Sequence, residues 1–458
     1  MAIATVNPAT GEIEKTFEPH NPDEVQRRLA LAAGAFQALK STTFAERGEW
    51  MRAAADLLEA DAAPLAEILT REMGKPIGAA RAEVAKCAKG MRFYAEHAEA
   101  FLADEPLSDP SAVGASRAVA RYEPLGVVLA VMPWNYPLWQ VVRFAAPALM
   151  AGNTGVLKHA SNVPQAALYL DDLFTRGGFP PGAFTTLLIG SAEVQAVIED
   201  PRVRAVTLTG SEPAGRSVAS IAAAQVKKSV LELGGSDPFI VMPSADLDAA
   251  VATAVDARTL NNGQSCISAK RFLVHDAVYD EFVPRFTEAM AALRIGDPLD
   301  EQTQVGPIAT SSGRDELAGL VDDARAQGAD ILTGGVVPDG PGWFYPPTVV
   351  AGVRPGMRLH LEETFGPVAT VYRVRDADEA IALANVTDFG LSSSVWTTDT
   401  AERDRFEREI DAGAVFVNGM TVSYPELPFG GIKNSGFGRE LAAAGIREFC
   451  NLKTVWEK

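Results

Sequence analysis

The sequence predicts an α/β protein with a parallel, doubly wound sheet and a second α/β domain. Between residues 122 and 231 short apolar runs alternate with helical windows, and alternation of strand and helix produces a parallel sheet. A second alternating set begins after Gly234-Gly235. With 458 residues, of which 47% are hydrophobic, the chain is long enough for two or three domains.

The first hundred residues are predicted to be helical after a turn at Asn7-Pro8. Asn21 followed by Pro22 is a typical helix start, because Asn caps free N–H groups and Pro fits the first turn. Apolar residues then recur at helical spacing over Val25–Leu39. Two further helices are expected over Phe44–Gly74 and Gly78–Leu102.

The two alternating sets supply the strands and helices of the predicted sheets. In the first set the expected strands are Val127–Met132, Gly155–Leu157, Thr185–Ile189, Val203–Thr207 and Val230–Leu231. The helices between them are Leu138–Met150, Pro164–Arg176, Ala192–Glu199 and Ala214–Ala224. The second set follows a hinge at Glu232–Gly235 and runs in the order Phe239–Met242, Leu247–Leu260, Arg271–Val274, Tyr279–Leu293. The alternating stretch Glu448–Trp456 is expected to be an edge strand.

The composition excludes several classes of partner. Acidic residues outnumber basic ones by 59 to 41, and the net charge of −18 disfavours nucleic acid and anionic membranes. The three cysteines lie far apart without metal-ligand spacing, which predicts no metal site and a reducing, cytoplasmic location. We expect no secretory signal and no membrane span, because apolar runs are short and the first residues lack a basic segment.

Cys266 is the first candidate for chemistry. It follows Asn261-Asn262-Gly263-Gln264-Ser265, and such small, polar, turn-prone neighbours suit an accessible, reactive thiolate. A small buried hydrophobe is the alternative interpretation of a lone cysteine, and the local sequence leaves both open. Cys87, on an Ala-rich helix, and Cys450 are interpreted as packing residues.

Four further features are weak when taken singly. Glu232 ends an apolar strand before two glycines, where a partly desolvated carboxylate serves as a general base unless it is solvated or paired. Asn135 lies in a loop at the carboxyl end of a strand and could donate to an oxyanion or simply pack. Thr209-Gly210-Ser211 joins a strand to a helix, an anion-binding geometry or an ordinary turn. Lys158 ends a neighbouring strand.

These features occur in the order found in the aldehyde dehydrogenase superfamily, which nearly the whole chain resembles. Seven segments carry the match: Pro133-Trp134-Asn135, Lys158, Thr209-Gly210-Ser211, Glu232-Leu233-Gly234-Gly235, Gly263-Gln264-x-Cys266, Glu362-Glu363-x-Phe365-Gly366-Pro367 and Pro428-Phe429-Gly430-Gly431. Within the superfamily the chain is similar to bacterial enzymes that use NADP and oxidise succinate semialdehyde. That similarity rests on Glu72-Met73-Gly74-Lys75, Lys158-His159-Ala160, Glu232-Leu233-Gly234-Gly235-Ser236-Asp237-Pro238-Phe239 and Gly436-x-Gly438-Arg439-Glu440.

The resemblance implies an aldehyde dehydrogenase fold of three parts. These are a Rossmann-like cofactor domain (1–107 and 124–231), an α/β catalytic domain (232–439) and a small β oligomerisation element (108–123 and 440–458). It also implies a homo-oligomer, either dimer or tetramer, because exposed strand edges invite pairing with another subunit.

The resemblance also implies the chemistry. The Cys266 thiolate attacks the aldehyde carbon, and the oxyanion of the thiohemiacetal meets the Asn135 side chain and the Cys266 backbone N–H. Hydride then passes to the nicotinamide and leaves a thioester, which water hydrolyses with Glu232 as general base.

Cofactor contacts are implied at a set of residues from both sheets: Trp134, Asn135, Lys158, His159, Ala160, Ser161, Gly210, Ser211, Leu233, Glu363 and Phe365. NADP is expected to be preferred, with NAD possible. NAD-preferring relatives often place Glu three residues after the lysine, and here that position is Ser161. Serine does not repel a 2′-phosphate and can donate to it.

A semialdehyde that carries a carboxylate calls for a cation, and Arg143 is the candidate, with a surface or ion-paired arginine as the alternative. Ser265 and Ser423 are expected to assist by hydrogen bonding. Glutarate semialdehyde and aromatic or medium-chain aldehydes stay open as substrates. CoA-acylating relatives generally lack a Glu at position 232, so CoA acylation is disfavoured. A non-enzymatic protein would have lost Cys266, Glu232 or Asn135, so a purely binding or structural function is disfavoured too.

Overall fold

In the computed structural model, which describes residues 2–458, a hairpin and four helices open the chain. They are β1 (Ile3–Val6), β2 (Ile13–Phe17), α1 (Pro22–Leu39), α2 (Phe44–Ala60), α3 (Ala62–Met73) and α4 (Ile77–Phe101). Asn21 caps α1 as predicted, because its Oδ1 accepts the Glu24 N–H at 2.9 Å. The hairpin was missed because most side chains of β2 are exposed and carry no alternation. The helix predicted over residues 44–74 was wrong in its length, because the chain breaks at Asp61 into α2 and α3.

The first sheet has six strands in the order β19-β9-β8-β5-β6-β7, and all but β19 run parallel. After β3 (Glu105–Pro106) and β4 (Arg117–Pro124), the chain forms its central strands and helices. These are β5 (Val127–Met132), α5 (Trp139–Ala151), β6 (Thr154–His159), α6 (Pro164–Arg176), β7 (Phe184–Thr186), α7 (Val194–Glu199), β8 (Val203–Thr209), α8 (Glu212–Ala224) and β9 (Lys228–Glu232). The predicted alternation is therefore confirmed, although β7 is shorter than expected.

The second sheet has seven strands in the order β12-β13-β14-β11-β10-β16-β17, and only β12 is antiparallel to its neighbour. It is built by β10 (Pro238–Val241), α9 (Leu247–Thr259), β11 (Arg271–His275), α10 (Asp276–Ala291), α11 (Ser311–Ala326), β12 (Asp330–Thr333), β13 (Thr348–Ala351), β14 (Val368–Val374), α12 (Ala377–Asn385), β15 (Phe389–Gly390), β16 (Ser393–Trp396), α13 (Thr400–Glu409) and β17 (Val415–Val417). The chain passes from one sheet to the other through Leu233–Asp237.

The last elements return to the first sheet and then leave it. They are β18 (Ile432–Lys433), β19 (Gly436–Phe437), α14 (Ala442–Glu448) and β20 (Cys450–Glu457). β20 pairs antiparallel with β4, and β3 completes this third sheet. The final strand is therefore confirmed as an edge strand, whereas the three domain boundaries stay predictions.

The carboxyl ends of the parallel strands meet at one edge of the first sheet. Met132 lies opposite His159, and Thr209 lies opposite Glu232. This edge is where open α/β sheets bind ligands. None of the helices in residues 2–458 combines the length and hydrophobicity that crossing a membrane requires.

Candidate active site

A cavity of about 790 Å³ opens at the carboxyl edge of the first sheet, and its far wall is formed by residues of the second α/β unit. Cys266 lines it together with seven of the residues for which cofactor contacts were predicted: Trp134, Asn135, Gly210, Ser211, Leu233, Glu363 and Phe365. The far wall includes Ile308, Thr310, Leu317 and Leu320. Residues that are distant in sequence thus share one cavity.

The loop before Cys266 has a constrained backbone. Asn261, Asn262 and Gly263 all have positive φ, at 57°, 60° and 73°. A Cβ at Gly263 would lie 2.4 Å from the backbone of Gly366, so only glycine fits there. A positive φ costs free energy in residues other than glycine, and it persists where the surrounding structure enforces it.

Side-chain amides provide that enforcement and tie the loop to Asn135. Asn261 Nδ2 donates to the Asn135 carbonyl at 2.8 Å and to the Gln264 carbonyl at 3.2 Å. Asn135 Nδ2 donates to the same Gln264 carbonyl at 3.1 Å. Because the amide of Asn135 carries a second N–H, it can still donate to an oxygen atom beside Cys266.

Lys270 fixes the nucleophile loop from the other side. Its Nζ donates to the carbonyls of Ser265 at 2.8 Å and Cys266 at 2.6 Å. It also pairs with Glu363 Oε1 at 3.2 Å. A single ammonium therefore joins the loop of Cys266 to the Glu363 carboxylate, which is among the predicted cofactor contacts. Ser265 Oγ is buried and finds no partner among the described residues.

The Cys266 thiol lies in a mixed electrostatic environment. Burial raises its pKa to about 12, while the positive charges of Arg143 and Lys270 act in the opposite direction. Desolvation disfavours the thiolate and nearby cations favour it. Because burial favours the thiol form, attack on a carbonyl carbon has to be accompanied by loss of the thiol proton.

Glu232 belongs to a buried group of charges next to the cavity. Its carboxylate accepts no hydrogen bond from the described residues, and a Cβ at Gly430 would lie 2.7 Å from its Oε1. Burial, followed by the charge of Glu440, raises its pKa well above the ordinary range, against the opposing charges of Arg143 and Arg439. Glu232 itself does not line the cavity. Its chain neighbour Leu233 does, and so does Thr209, which lies opposite Glu232 in the sheet.

Arg143 does not occupy the place expected for a substrate cation. It is buried and ion-paired with Glu440, and its guanidinium lies 4.8 Å from the Phe429 ring centroid. Its Nη2 also donates to Thr209 Oγ1 at 3.2 Å, and it does not line the cavity. This arrangement matches the ion-paired alternative, and the substrate contact expected at Arg143 stays a prediction.

His159 is likewise occupied by the protein. Its ring nitrogens lie 2.8 Å from the Pro137 carbonyl and 3.3 Å from the Met132 carbonyl, and burial lowers its pKa to about 4. The ring therefore holds the loop that carries Asn135, and the cofactor contact expected at His159 stays a prediction. Lys158 precedes His159 on β6, and Ala160 and Ser161 follow it. None of these three residues lines the cavity.

The remaining wall of the cavity suits a dinucleotide. Ser211 is the N-cap residue of α8 and makes no side-chain cap bond, so N–H groups of the first turn are available to an anion. Glu363 Oε1 accepts the Gly235 N–H at 3.1 Å, and a Cβ at Gly234 would lie 2.4 Å from Glu363 Oε2. Trp134 and Phe365 pack edge to face, with ring centroids 5.7 Å apart.

Three functional candidates were not predicted from the sequence. Lys270 and Arg258 hold the backbone of the Cys266 loop, the latter through the Gly263 carbonyl at 2.7 Å. Glu440 shapes the charge around Glu232. Nothing in the local sequence marks the first two, whereas Glu440 ends the segment Gly436-x-Gly438-Arg439-Glu440 that contributed to the resemblance.

A cysteine and an asparagine that share a dinucleotide-sized cavity with a glutamate behind it define an aldehyde dehydrogenase site. Residues 1–455 match the model of the Aldehyde dehydrogenase family, and the chain belongs to this family. The succinate-semialdehyde dehydrogenase [NADP(+)] of Mycobacterium avium (strain 104) is 64% identical over 457 residues, which cover 100% of this chain and 97% of that protein. The succinate-semialdehyde dehydrogenase [NADP(+)] 1 of Mycobacterium tuberculosis (strain H37Rv) is 63% identical, with 100% of both chains covered.

Solved structures agree with this assignment of fold. The crystal structure of succinic semialdehyde dehydrogenase from Streptococcus pyogenes in complex with NADP⁺ matches with a TM-score of 0.96 and 36% identity, covering 99% of each chain. The succinate-semialdehyde dehydrogenase from Burkholderia pseudomallei matches with a TM-score of 0.95 and 36% identity, covering 99% of this chain and 94% of that one. The predicted aldehyde dehydrogenase fold is confirmed.

Proposed function

We propose that this protein oxidises succinate semialdehyde to succinate with NADP⁺ as the hydride acceptor. The observation that carries the proposal is the shared cavity of Cys266 and Asn135, whose other walls suit a dinucleotide. Identity of 63–64% over the whole chain to enzymes with this activity in their names supports the substrate and the cofactor.

Cys266 and Asn135 perform the first half of the reaction. The Cys266 sulfur forms a bond to the aldehyde carbon while its proton passes to solvent in the open cavity, and the electron pair of the carbonyl π bond moves to the oxygen, which becomes an oxyanion. The free N–H of the Asn135 amide and the Cys266 backbone N–H stabilise that charge. NADP⁺, when bound, supplies the acceptor for the hydride that leaves the same carbon, and a thioester remains on Cys266.

Glu232 performs the second half. A water molecule attacks the thioester carbon, Glu232 takes its proton, and the Cys266 sulfur departs as the acid forms. The raised pKa of Glu232 suits a base, because a carboxylate with an ordinary pKa has little affinity for a proton at neutral pH. Its side chain does not line the cavity, so this step requires the carboxylate to turn towards Cys266.

Removal of the charge at Glu440 tests the electrostatics of this base. In Glu440→Gln the repulsion that raises the pKa of Glu232 disappears, and Arg143 loses its partner and favours the ionised form further. Both changes lower the pKa of Glu232, so the acidic limb of the kcat profile should move about one unit towards lower pH. Glu59→Gln, which removes a surface partner of Arg92, is the matched control. A limb that stays in place or moves upwards would contradict this assignment.

Ser161 is proposed to set the preference for NADP⁺. A glutamate at this position would repel the 2′-phosphate and accept from the ribose hydroxyls instead. Ser161→Glu should therefore lower kcat/KM for NADP⁺ roughly 10- to 100-fold and favour NAD⁺. Ser161→Ala, which removes one donor without adding charge, should have a smaller effect. Equal kcat/KM ratios in wild type and Ser161→Glu would refute the proposal.

Initial rates with several aldehydes and both cofactors test the function as a whole. We expect the highest kcat/KM for succinate semialdehyde with NADP⁺. A higher value for glutarate semialdehyde, or for aromatic or medium-chain aldehydes, would replace the substrate and keep the chemistry. Formation of an acyl-CoA on addition of CoA would replace hydrolysis by acyl transfer.

Self-association is proposed to involve the sheet β20-β4-β3. β20 lies at its edge and exposes Leu452 and Trp456, which are 55% and 48% accessible. An exposed, partly apolar edge strand is a pairing surface. Light scattering coupled to size exclusion distinguishes a dimer or tetramer from a monomer.

A further inference from the structure

The segment Glu72-Met73-Gly74-Lys75, which contributed to the resemblance, has no part in the mechanism above. Its lysine forms an ion pair with Glu83 of α4, and the two side chains are 0% and 1% exposed. Apolar residues of similar volume often stabilise a protein as well as a buried ion pair does. The pair therefore indicates a role other than stability.

Glu83 caps a helix that belongs to a different part of the chain. The N-cap residue of α5 is Leu138, whose side chain has no oxygen to accept an N–H group. Glu83 Oε1 takes this role, because it accepts the backbone N–H groups of Leu138 at 2.8 Å and Trp139 at 3.0 Å. A negative charge at the start of a helix is also favoured by the helix dipole. The carboxylate therefore fixes the position of the first turn of α5.

The start of α5 is directly connected to Asn135. Two residues separate Asn135 from Leu138, and the Lys75 ammonium lies 4.3 Å from the ring centroid of the first of them, Tyr136. A cation over the face of an aromatic ring is attracted to it. The ion pair thus holds this short loop twice, because Glu83 binds its backbone and Lys75 binds its aromatic side chain.

The same segment also contacts the loop of Cys266. The Gly74 carbonyl accepts the side-chain N–H of Asn262 at 2.9 Å, and Asn262 is one of the residues with positive φ before the nucleophile. Gly74 and Lys75 therefore lie between the loop of the nucleophile and the loop of Asn135. The relative position of these loops decides whether the Asn135 amide reaches the oxygen of the carbon that Cys266 attacks.

We propose that Glu83 is a positioning residue for Asn135 and that Lys75 supplies its counter-ion. The proposal rests on the oxyanion role given to Asn135 above, and it names the group that keeps this amide in place while charge develops on the oxygen. Neither Glu83 nor Lys75 lines the cavity. Both therefore act through the loop that they hold.

Two double variants test whether the acceptor on Glu83 is needed. Lys75→Met/Glu83→Leu replaces the ion pair by apolar side chains and leaves the N–H groups of Leu138 and Trp139 without this acceptor. We expect kcat/KM for succinate semialdehyde to fall roughly 10- to 100-fold, the range of a small misplacement of a catalytic group. Lys75→Met/Glu83→Gln is equally uncharged but keeps an amide oxygen for these N–H groups, so it should recover most of the loss.

A double-mutant cycle with Asn135→Ala distinguishes positioning from a general structural role. In the Asn135→Ala background, Lys75→Met/Glu83→Leu should lower kcat/KM by no more than about twofold, because the group to be positioned is already absent. Effects that multiply overturn the proposal. Wild-type rates in Lys75→Met/Glu83→Leu, or a loss that Lys75→Met/Glu83→Gln does not recover, overturn it as well.

Glu83→Asp provides the same cycle with less risk to folding, because it keeps the charge and only shortens the side chain. We expect a fall of roughly tenfold in kcat/KM with Asn135 present and none in the Asn135→Ala background. Equal falls in both backgrounds contradict the proposal. Glu59→Leu/Arg92→Met, which removes an exposed pair between α2 and α4, is the matched control and should leave kcat/KM unchanged.

The cycle is run with butanal as well, because an oxyanion forms on any aldehyde that the thiol attacks. A wild type that oxidises butanal but not succinate semialdehyde overturns the proposed substrate, and the butanal cycle still decides the role of Glu83. Wild-type rates in Asn135→Ala would overturn the oxyanion role of Asn135 together with the positioning role of Glu83. The failure of each proposal is therefore distinguishable.

Discussion

Replacing Cys266 by alanine should abolish aldehyde oxidation. The reaction proposed here has no route around the sulfur, because hydride can leave the carbon only after the thiohemiacetal has formed. Loss of a catalytic nucleophile lowers kcat by roughly 10⁴-fold or more. The measurement is NADPH formation at 340 nm with saturating succinate semialdehyde. The side chain is small and the loop is held by Asn261, Lys270 and Arg258 through other atoms, so the fold should be unaffected.

Two controls separate lost chemistry from a lost site. Binding of NADPH to Cys266→Ala, followed by fluorescence, should match the wild type, since the contacts proposed for the cofactor lie elsewhere on the cavity wall. Cys450→Ala should remain fully active, because Cys450 lies at the start of β20 with its Sγ near the Ile446 carbonyl. Residual oxidation in Cys266→Ala above about 1% of the wild-type rate would exclude this sulfur as the nucleophile.

The parts of the fold with strong periodicity could be predicted from the sequence. Val127–Met132 and Pro164–Arg176 have the bounds that the pattern gave. The hairpin β1–β2 could not be predicted, since its second strand is largely exposed and its register depends on tertiary contacts such as the bond from the Ala4 N–H to the Ser161 carbonyl at 3.1 Å.

The site shows the same division between local and tertiary information. Cys266, Asn135 and Glu363 could be placed by motif and order, because the chemistry needs their side chains in one cavity. The ion pair of Arg143 could not be predicted, because a sequence does not state which cation already has a counter-ion. That information comes from Glu440, which lies almost three hundred residues further along the chain from Arg143.

The buried charges near Cys266 consequently divide into paired and unpaired sets. Lys75 pairs with Glu83, and Arg143 pairs with Glu440. Burial of an ionised group without a partner is costly, so the unpaired groups indicate where function outweighs stability. Glu232 is one such group next to the cavity, and it is suited to accepting a proton.

Replacing Glu232 by glutamine should separate the two halves of the reaction. The amide is nearly isosteric but cannot take a proton from water, so acylation of Cys266 should proceed while hydrolysis of the thioester is slowed. Loss of a general base lowers the rate of its step by roughly 10²- to 10⁴-fold. In a stopped-flow experiment we therefore expect a burst of about one NADPH per active subunit, followed by a slow steady state, and an acyl adduct on Cys266 in intact-mass spectra. Glu59→Gln, which removes a surface partner of Arg92, should turn over at the wild-type rate when mixed at the same enzyme concentration. A Glu232→Gln protein that gave neither burst nor adduct would show that Glu232 acts before the thioester forms, and the carboxylate would then have to be assigned to the removal of the Cys266 proton.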